Sequence, residues 1–244
     1  MDAVLTFHSI DDSGSPLSYA RDDLEALLDV LTEEGVRIVP FHELLDPTVE
    51  PGHRVALSFD DGIRSVHTVA LPLLAQRRLP ATLYVVAGWV GRTNGWPSQP
   101  RHAPCFPLMT WAELRDAVAA GFAVGSHSTS HRSLRRLNEA DWELELVESR
   151  GRLEDALQEP VSHFAYPYGF HDLEAVRRVR ALYASAVTTE LGYLAGGDPH
   201  RLPRIDAHYL RRPRAPLFGT RSRCRLAIRG LLRQVRVATI ATVP

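Results

Sequence analysis

The chain contains no lysine: all 28 of its basic residues are arginine. Schiff-base chemistry and a lysine general base are therefore excluded. Cysteine is nearly as scarce, with only Cys105 and Cys224 among 244 residues. Two cysteines make neither a disulfide framework nor a cysteine-ligated zinc site, and they read as unpaired thiols. No apolar run is long enough to span a bilayer. The N-terminus, Met1-Asp2-Ala3-Val4-Leu5-Thr6-Phe7-His8, enters a strand at once and lacks the basic-then-apolar pattern of a secretory signal. The expectation is a cytoplasmic protein. Glycine- or serine-rich linkers, internal repeats and low-complexity blocks are missing too, which favours one α/β domain of ordinary size. Acids are absent from the end of the chain. Residues 1–210 hold 19 arginines and all 29 acids, a net charge of −10, whereas residues 211–244 hold nine arginines and no acid, a net charge of +9. The body is acidic and the tail is a basic extension.

What is present centres on Val55-Ala56-Leu57-Ser58-Phe59-Asp60-Asp61-Gly62. A continuous apolar run of this kind is the pattern of a parallel strand covered on both faces. In such folds ligands bind at the carboxyl ends of the strands. Two adjacent carboxylates there repel each other and are costly to desolvate unless a cation sits beside them. A second apolar run, Phe122-Ala123-Val124, leads into Gly125-Ser126-His127-Ser128-Thr129-Ser130-His131. Histidines four apart share one face of a helical turn, so both imidazoles could reach one ion. Asp61, His127 and His131 then form a three-ligand site with an open position, the arrangement of a catalytic rather than a structural zinc. Asp60 is left free to act as a base. Either half alone is weak, since Asp-Asp is usually a solvated turn and His-x-x-x-His a surface coincidence.

Strands and helices alternate along the chain, which argues for a mostly parallel sheet or barrel. Strands are expected over Val4–His8, Val36–Val39, Leu57–Phe59, Ala81–Val86, Phe122–Val124, His163–Ala165 and Tyr183–Val187. Helices are expected over Ser18–Glu34, Ser65–Arg78, from Thr110 (N-cap, with Glu113 completing a capping box), Asn138–Gln158 and Asp172–Arg180. Gly88 to Leu108 is too aromatic and proline-rich to be disordered and reads as an ordered loop over the site. Its Trp89 and Trp96 suit either sugar binding or packing of the loop.

Ser58-Phe59-Asp60-Asp61-Gly62, Ser126-His127-Ser128-Thr129-Ser130-His131 and Phe164-Ala165-Tyr166-Pro167-Tyr168-Gly169, in that order, resemble the polysaccharide deacetylase family, the NodB-homology domain of carbohydrate esterase family 4. The likeness runs from about Val4 to about His208, and the Phe-Ala-Tyr-Pro-Tyr-Gly form is similar to one branch of the family. It implies a distorted (β/α)7-type barrel. It also implies a divalent metal, with zinc first and cobalt, nickel or manganese as alternatives, held by Asp61, His127 and His131, with Asp60 as base. The activity implied is hydrolysis of an N-acetyl or other acyl group on a sugar, at a C–N bond other than a peptide bond, with the Tyr168 N–H sharing the oxyanion. Tyr166 and Pro167, with Trp89 and Trp96, are expected against the substrate. The chain departs from the family in two places. The third-motif arginine that pairs with the catalytic aspartate is replaced by Ala165, and Arg204 is the residue expected to supply that charge. No clean copy of the family's Leu-x-His general acid exists, and His208, then His200, are the candidates.

Other readings remain open: hydrolysis of a non-sugar amide, or a catalytically silent carbohydrate-binding member. A cytoplasmic start points to a nucleotide sugar, a lipid-linked sugar or a glycosylated metabolite rather than a cell-wall polymer. In the tail, Cys224, Ile228, Leu231, Leu232 and Val235 share one helical face and Arg225, Arg229, Arg233 and Arg236 the other. The favoured reading docks this helix on the body with its arginines solvated, and the alternative lays residues 221–236 on an anionic membrane surface. Arginines without interleaved aromatics give no nucleic-acid readout, so no such partner is expected.

Overall fold

The computed structural model describes residues 1–49, 52–211 and 216–241, with side chains as far as Gly230. Asp2–Phe7 form β1, followed by the short pair β2 (Ser9–Ile10) and β3 (Ser18–Tyr19), then α1 (Arg21–Glu33), β4 (Arg37–Ile38) and β5 (Arg54–Phe59). A π-helical turn, Val66–Ala70, runs into α2 (Leu71–Gln76), and β6 (Thr82–Val85), α3 (Trp111–Ala119) and β7 (Ala123–Ser126) follow. Next come α4 (Glu139–Trp142), a second π turn (Glu143–Glu148), α5 (Ser149–Leu157) and β8 (His163–Ala165). The chain continues through α6 (Leu173–Leu182), β9 (Ser185–Leu191), β10 (Leu202–Asp206) and α7 (Thr220–Ala241).

All six residues of β5 are buried, as its apolar run requires. It lies parallel to β1 in register, from Asp2 opposite Arg54 to Phe7 opposite Phe59. That pairing closes β1, β10, β9, β8, β7, β6 and β5 into a seven-stranded parallel barrel. The short β4 joins the start of β5, opposite Arg54 and Val55. Val4, Ala56, Tyr84, Ala165 and Val187 point into the barrel, and the larger cluster, including Leu24, Leu28, Leu74 and Leu153, lies between strands and helices. Barrel and helices form the single α/β domain expected.

Local chemistry accounts for most element boundaries. Thr110 accepts from the Glu113 N–H while Glu113 returns a bond to the Thr110 N–H, the capping box expected for α3. Asn138 and Asp172 cap α4 and α6 through the N–H groups of Asp141 and Ala175. The first π turn has a cause in Pro72, whose ring removes a donor and crowds the carbonyl four residues back. The strand expected over Tyr183–Val187 is corrected: β9 runs from Ser185 to Leu191. The β2–β3 pair was not legible, being two residues long on each side.

The tail needs a different correction. Leu226 is the buried residue of α7, while Cys224 and Ile228 face outward, Ile228 with 61% exposure. Arg229, expected in solvent, lies with its guanidinium 5.0 Å from the Tyr209 ring centroid. Over its described side chains, to Gly230, the helix therefore meets the body through Leu226 and Arg229, on the side opposite the one that periodicity suggested. Leu231, Leu232, Val235, Arg233 and Arg236 have side chains outside those described, so the membrane reading of 221–236 rests on the sequence. No helix among the described residues is long and apolar enough to cross a membrane.

Candidate active site

β5 ends in a sharp turn. Asp61 and Gly62 both take left-handed backbone conformations, with φ of 71° and 74°. For a non-glycine residue that conformation is uncommon and is a form of strain that concentrates at functional sites. The turn leaves Asp60 and Asp61 buried at the mouth of the barrel. β7 delivers His127 to the same place. The segment from His127 to His131 is not a helical turn, contrary to the spacing argument: Ser128 and His131 have φ of 66° and 57°, and the loop curls instead of winding. Buried Glu145, carried in on the second π turn, secures the curl by accepting from the Thr129 and Ser130 N–H groups at 3.0 and 2.9 Å. The curl packs tightly against the end of β6. A side chain at Gly88 would put its first carbon 2.5 Å from the Thr129 carbonyl oxygen.

The outcome is a compact donor set. Asp61 Oδ1 lies 3.5 Å from His127 Nε2 and 3.3 Å from His131 Nε2. One ligand atom from each residue falls within 4.8 Å of the others, and all three residues are buried. His127 Nδ1–H donates to the Ala165 carbonyl at 2.7 Å, which fixes the tautomer and leaves Nε2 as a free lone pair. Burial, and then the neighbouring His131, lower the His127 pKa to about 4, so the ring is neutral near pH 7. A neutral imidazole is the form that binds a metal. Burial raises the Asp61 carboxyl, but the His131 hydrogen bond and charge more than offset it and hold it below its usual value. One carboxylate and two imidazoles, mutually oriented and screened from bulk water, fit a divalent cation.

Asp60 is held differently. Arg204, on β10, grips it with two parallel bonds, NH1 to Oδ1 and NH2 to Oδ2, both 2.7 Å. The remaining Arg204 donors reach Thr188 O at 2.9 Å and the Ser58 hydroxyl at 3.4 Å. Both partners are almost wholly buried. Burial alone would push the Asp60 pKa up, but the Arg204 charge and hydrogen bonds outweigh it and keep the carboxyl well below the ordinary range. Arg204 thus stands where the charge missing at Ala165 is needed.

A cavity of about 340 Å³ opens over these groups, lined among others by His8, Leu17, Asp60, Asp61, Trp96, Gln99, His102, His127, His131, Tyr166, Tyr168 and Thr189. Of the tryptophans only Trp96 lines it; it is buried and stacks on the His131 ring at 4.2 Å and 24°. Trp89 sits behind, edge-on to Trp96, beneath the Arg92 guanidinium and packed against the cluster that includes Ile63 and Val86, so it fastens the loop to the body. The 88–108 loop is riveted down by Ser98, whose hydroxyl donates to His131 O at 2.7 Å, and by the Tyr168 hydroxyl, which donates to Ser98 O at 2.8 Å. Tyr166 lines the pocket with its hydroxyl turned to His200 O, and Pro167 is buried beside it without lining the cavity. Tyr168 has a φ of 57°, and its carbonyl accepts from Thr189 Oγ1 at 3.3 Å. Gly169 must be glycine there, since a first side-chain carbon would lie 2.1 Å from that Thr189 oxygen.

Neither histidine proposed from sequence as a proton donor lines the main cavity. His208 is exposed and lines, with His8, Pro16 and Leu17, a narrow crevice that adjoins the pocket. His200 is buried, with Nε2 2.9 Å from Tyr183 O. Besides the ligand pair and the exposed His102 of the loop, the pocket is lined by His8, at the end of β1, which sequence reasoning passed over. Its signal was a likeness between neighbouring strands. Leu5-Thr6-Phe7-His8 repeats the pattern of Leu57-Ser58-Phe59-Asp60, and the structure pairs the two in register with Thr6 and Ser58 hydroxyls 2.7 Å apart.

The sequence matches the model of the polysaccharide deacetylase family over residues 48–187, more than half of the chain. No curated protein is similar in sequence. Among solved structures the chain is similar to IcaB from Ammonifex degensii, at 28% identity and a TM-score of 0.73 over 84% of this chain and 90% of that one. Streptococcus pyogenes deacetylase PplD, at 22% identity, TM-score 0.70 and 84% and 91% coverage, shares the fold. So does a de-N-acetylase from Aggregatibacter actinomycetemcomitans, at 17% identity, TM-score 0.68 and 92% and 99% coverage. With its closed seven-stranded barrel and the motif segments gathered at one mouth, the chain belongs to the polysaccharide deacetylase family.

Proposed function

We propose that this protein is a metal-dependent hydrolase that removes the N-acetyl group from an amino sugar of a glycan. The observation that carries the reading is the pairing of two differently held carboxylates in one pocket. Asp61 faces two imidazoles, while Asp60, one residue away, is pinned by Arg204 and faces the same cavity.

A divalent cation held by Asp61, His127 and His131 would polarise the amide carbonyl and make water acidic enough to deprotonate near pH 7. Asp60 would take a proton from the attacking water, with Arg204 keeping its carboxylate ionised before the transfer and aimed throughout. The Tyr168 N–H, on the left-handed residue before Gly169, would donate to the oxygen that becomes negative, a contribution of about 3–4 kcal/mol for one well-aimed donor. The leaving amine needs a proton, and His8 replaces His208 as its source because it lines the pocket. Acetate and a free amine are the products.

The catalytically silent alternative rested on the missing third-motif arginine, and the Arg204–Asp60 pair removes that support. Hydrolysis of a non-sugar amide remains a separate outcome of the same assay. Zinc-loaded protein incubated with N-acetylated sugars, free, nucleotide-linked, lipid-linked and polymeric, is expected to release acetate. Release from none of them sinks the proposal. His127→Ala is expected to lose the cation, read by elemental analysis, and retention of one equivalent would refute the ligand set. For the proton donor, His8→Ala should lower turnover about 10²-fold or more. His208→Ala should leave turnover unchanged, and the opposite result would restore His208.

A further inference from the structure

Helix α7 is fastened to the body along one side. Leu226 is buried, and the Arg229 guanidinium lies over the Tyr209 ring. Gly230 sits so close to Leu191 that an added side-chain carbon would lie 3.1 Å from the Leu191 carbonyl oxygen. These contacts fix which residues point away. Arg221, Cys224, Arg225 and Ile228 stand at i, i+3, i+4 and i+7 of one helical stripe, on the side opposite Leu226. All four are exposed, as is Arg223 beside them. None of the three arginines has an acidic partner among the described residues, and residues 211–244 supply no acid at all. One exposed isoleucine is ordinary. Here the spacing recurs in the sequence, with Leu231 and Val235 seven residues beyond Cys224 and Ile228.

We infer that this outward stripe docks the protein on an anionic lipid bilayer, with Ile228 entering the headgroup layer and Arg221, Arg223 and Arg225 set on lipid phosphates. The inference stands apart from the deacetylase reading, since no residue of the stripe lines the cavity. Its chemistry names the partner. Planar guanidinium groups match phosphate oxygens. An apolar side chain among them gains only where an interfacial layer receives it, which is the pattern of a helix lying in the plane of a membrane surface. A nucleic acid offers phosphate but no such layer, and the stripe has no aromatic ring on which a base could stack. A two-fold pair of this chain would set arginine against arginine. Had α7 docked by the face that its periodicity suggests, Cys224 and Ile228 would be covered; instead the body holds Leu226 and presents them outward. Residues 1–210, with a net charge of −10, are repelled by the same surface, so contact is confined to the α7 side.

Co-sedimentation of the full chain with large vesicles tests the surface. Vesicles of equal parts phosphatidylglycerol and phosphatidylcholine should bind the protein at low salt, more weakly as salt rises, and phosphatidylcholine alone should not bind it. The double variant Arg221→Ser with Arg225→Ser should bind about thirtyfold more weakly, at about fivefold for each arginine near a charged leaflet. Ile228→Ser should bind about tenfold more weakly. Both variants should unfold at the wild-type denaturant concentration, because the replaced side chains are exposed. Cys224→Asp, on the same stripe, repeats the measurement if either does not. A wild type that ignores phosphatidylglycerol vesicles, or variants that bind them equally well, would overturn the inference. So would binding that needs the arginines, is indifferent to Ile228→Ser and is tighter for duplex DNA than for vesicles, which assigns the face to nucleic acid.

Discussion

Asp60→Asn is expected to lower turnover by about 10²–10⁴-fold while leaving the metal in place. The substitution keeps the size and shape of the side chain and removes only its ability to accept a proton. Asp61, His127 and His131 are untouched, so elemental analysis should still find one equivalent of cation. KM should change little, because the lost interaction belongs to proton transfer in the transition state rather than to substrate binding. The variant also leaves the Arg204 charge buried without its partner, so its stability must be measured beside its activity. A protein that folds, holds metal and retains half of wild-type turnover would show that Asp60 is not the base.

Arg204→Ala should have the largest effect on stability. Removing one partner of a buried ion pair leaves an uncompensated charge and costs about 3–5 kcal/mol. That is a large fraction of the roughly 5–15 kcal/mol that holds a domain together. The loss depends on pH in a defined direction. In the wild type Arg204 depresses the folded-state pKa of Asp60 below the unfolded value of about 3.9. The pair therefore stabilises at pH above that value, and the contribution disappears only as pH falls through the lower, folded-state pKa. In the variant, burial acts unopposed and raises the Asp60 pKa, so the variant weakens as pH climbs toward neutrality. Denaturant unfolding at pH 4.5 and pH 8 should show the gap between the two proteins widening at the higher pH, and a constant gap would sink the explanation. Replacing both partners, Arg204→Met with Asp60→Leu, should recover much of the stability but none of the activity.

Much of this site was legible because each part sits where a strand stops. The apolar run of β5 has only one plausible use, and its two carboxylates follow by position. Arg204 could be named in advance because the family resemblance implies an arginine beside Asp60 and this chain has Ala165 in its place. The parts that were not legible depend on backbone conformations that leave no residue signature. His127 and His131 do converge, but through left-handed Ser128 and His131 rather than a helical turn, and neither serine nor histidine announces that geometry. His8 had no partner at any telling spacing; it became visible only when β1 was set beside β5. The tail was misjudged for a related reason. Periodicity identifies two faces of α7 but not which one meets the body, and Leu226 decided it.

The two sides of the pocket differ in how freely they could be rebuilt. The wall at Pro16 and Leu17 hangs on the β2–β3 pair, and there only His8 joins it to the chemistry. The opposite wall, at Gln99 to Pro104, belongs to the loop whose Trp96 and Ser98 hold His131. Change is thus cheap along one flank and penalised along the other, where every shift of the loop is transmitted to His131. An evolving or engineered lineage should accumulate its variation at 11–17 and keep the tryptophan side nearly frozen.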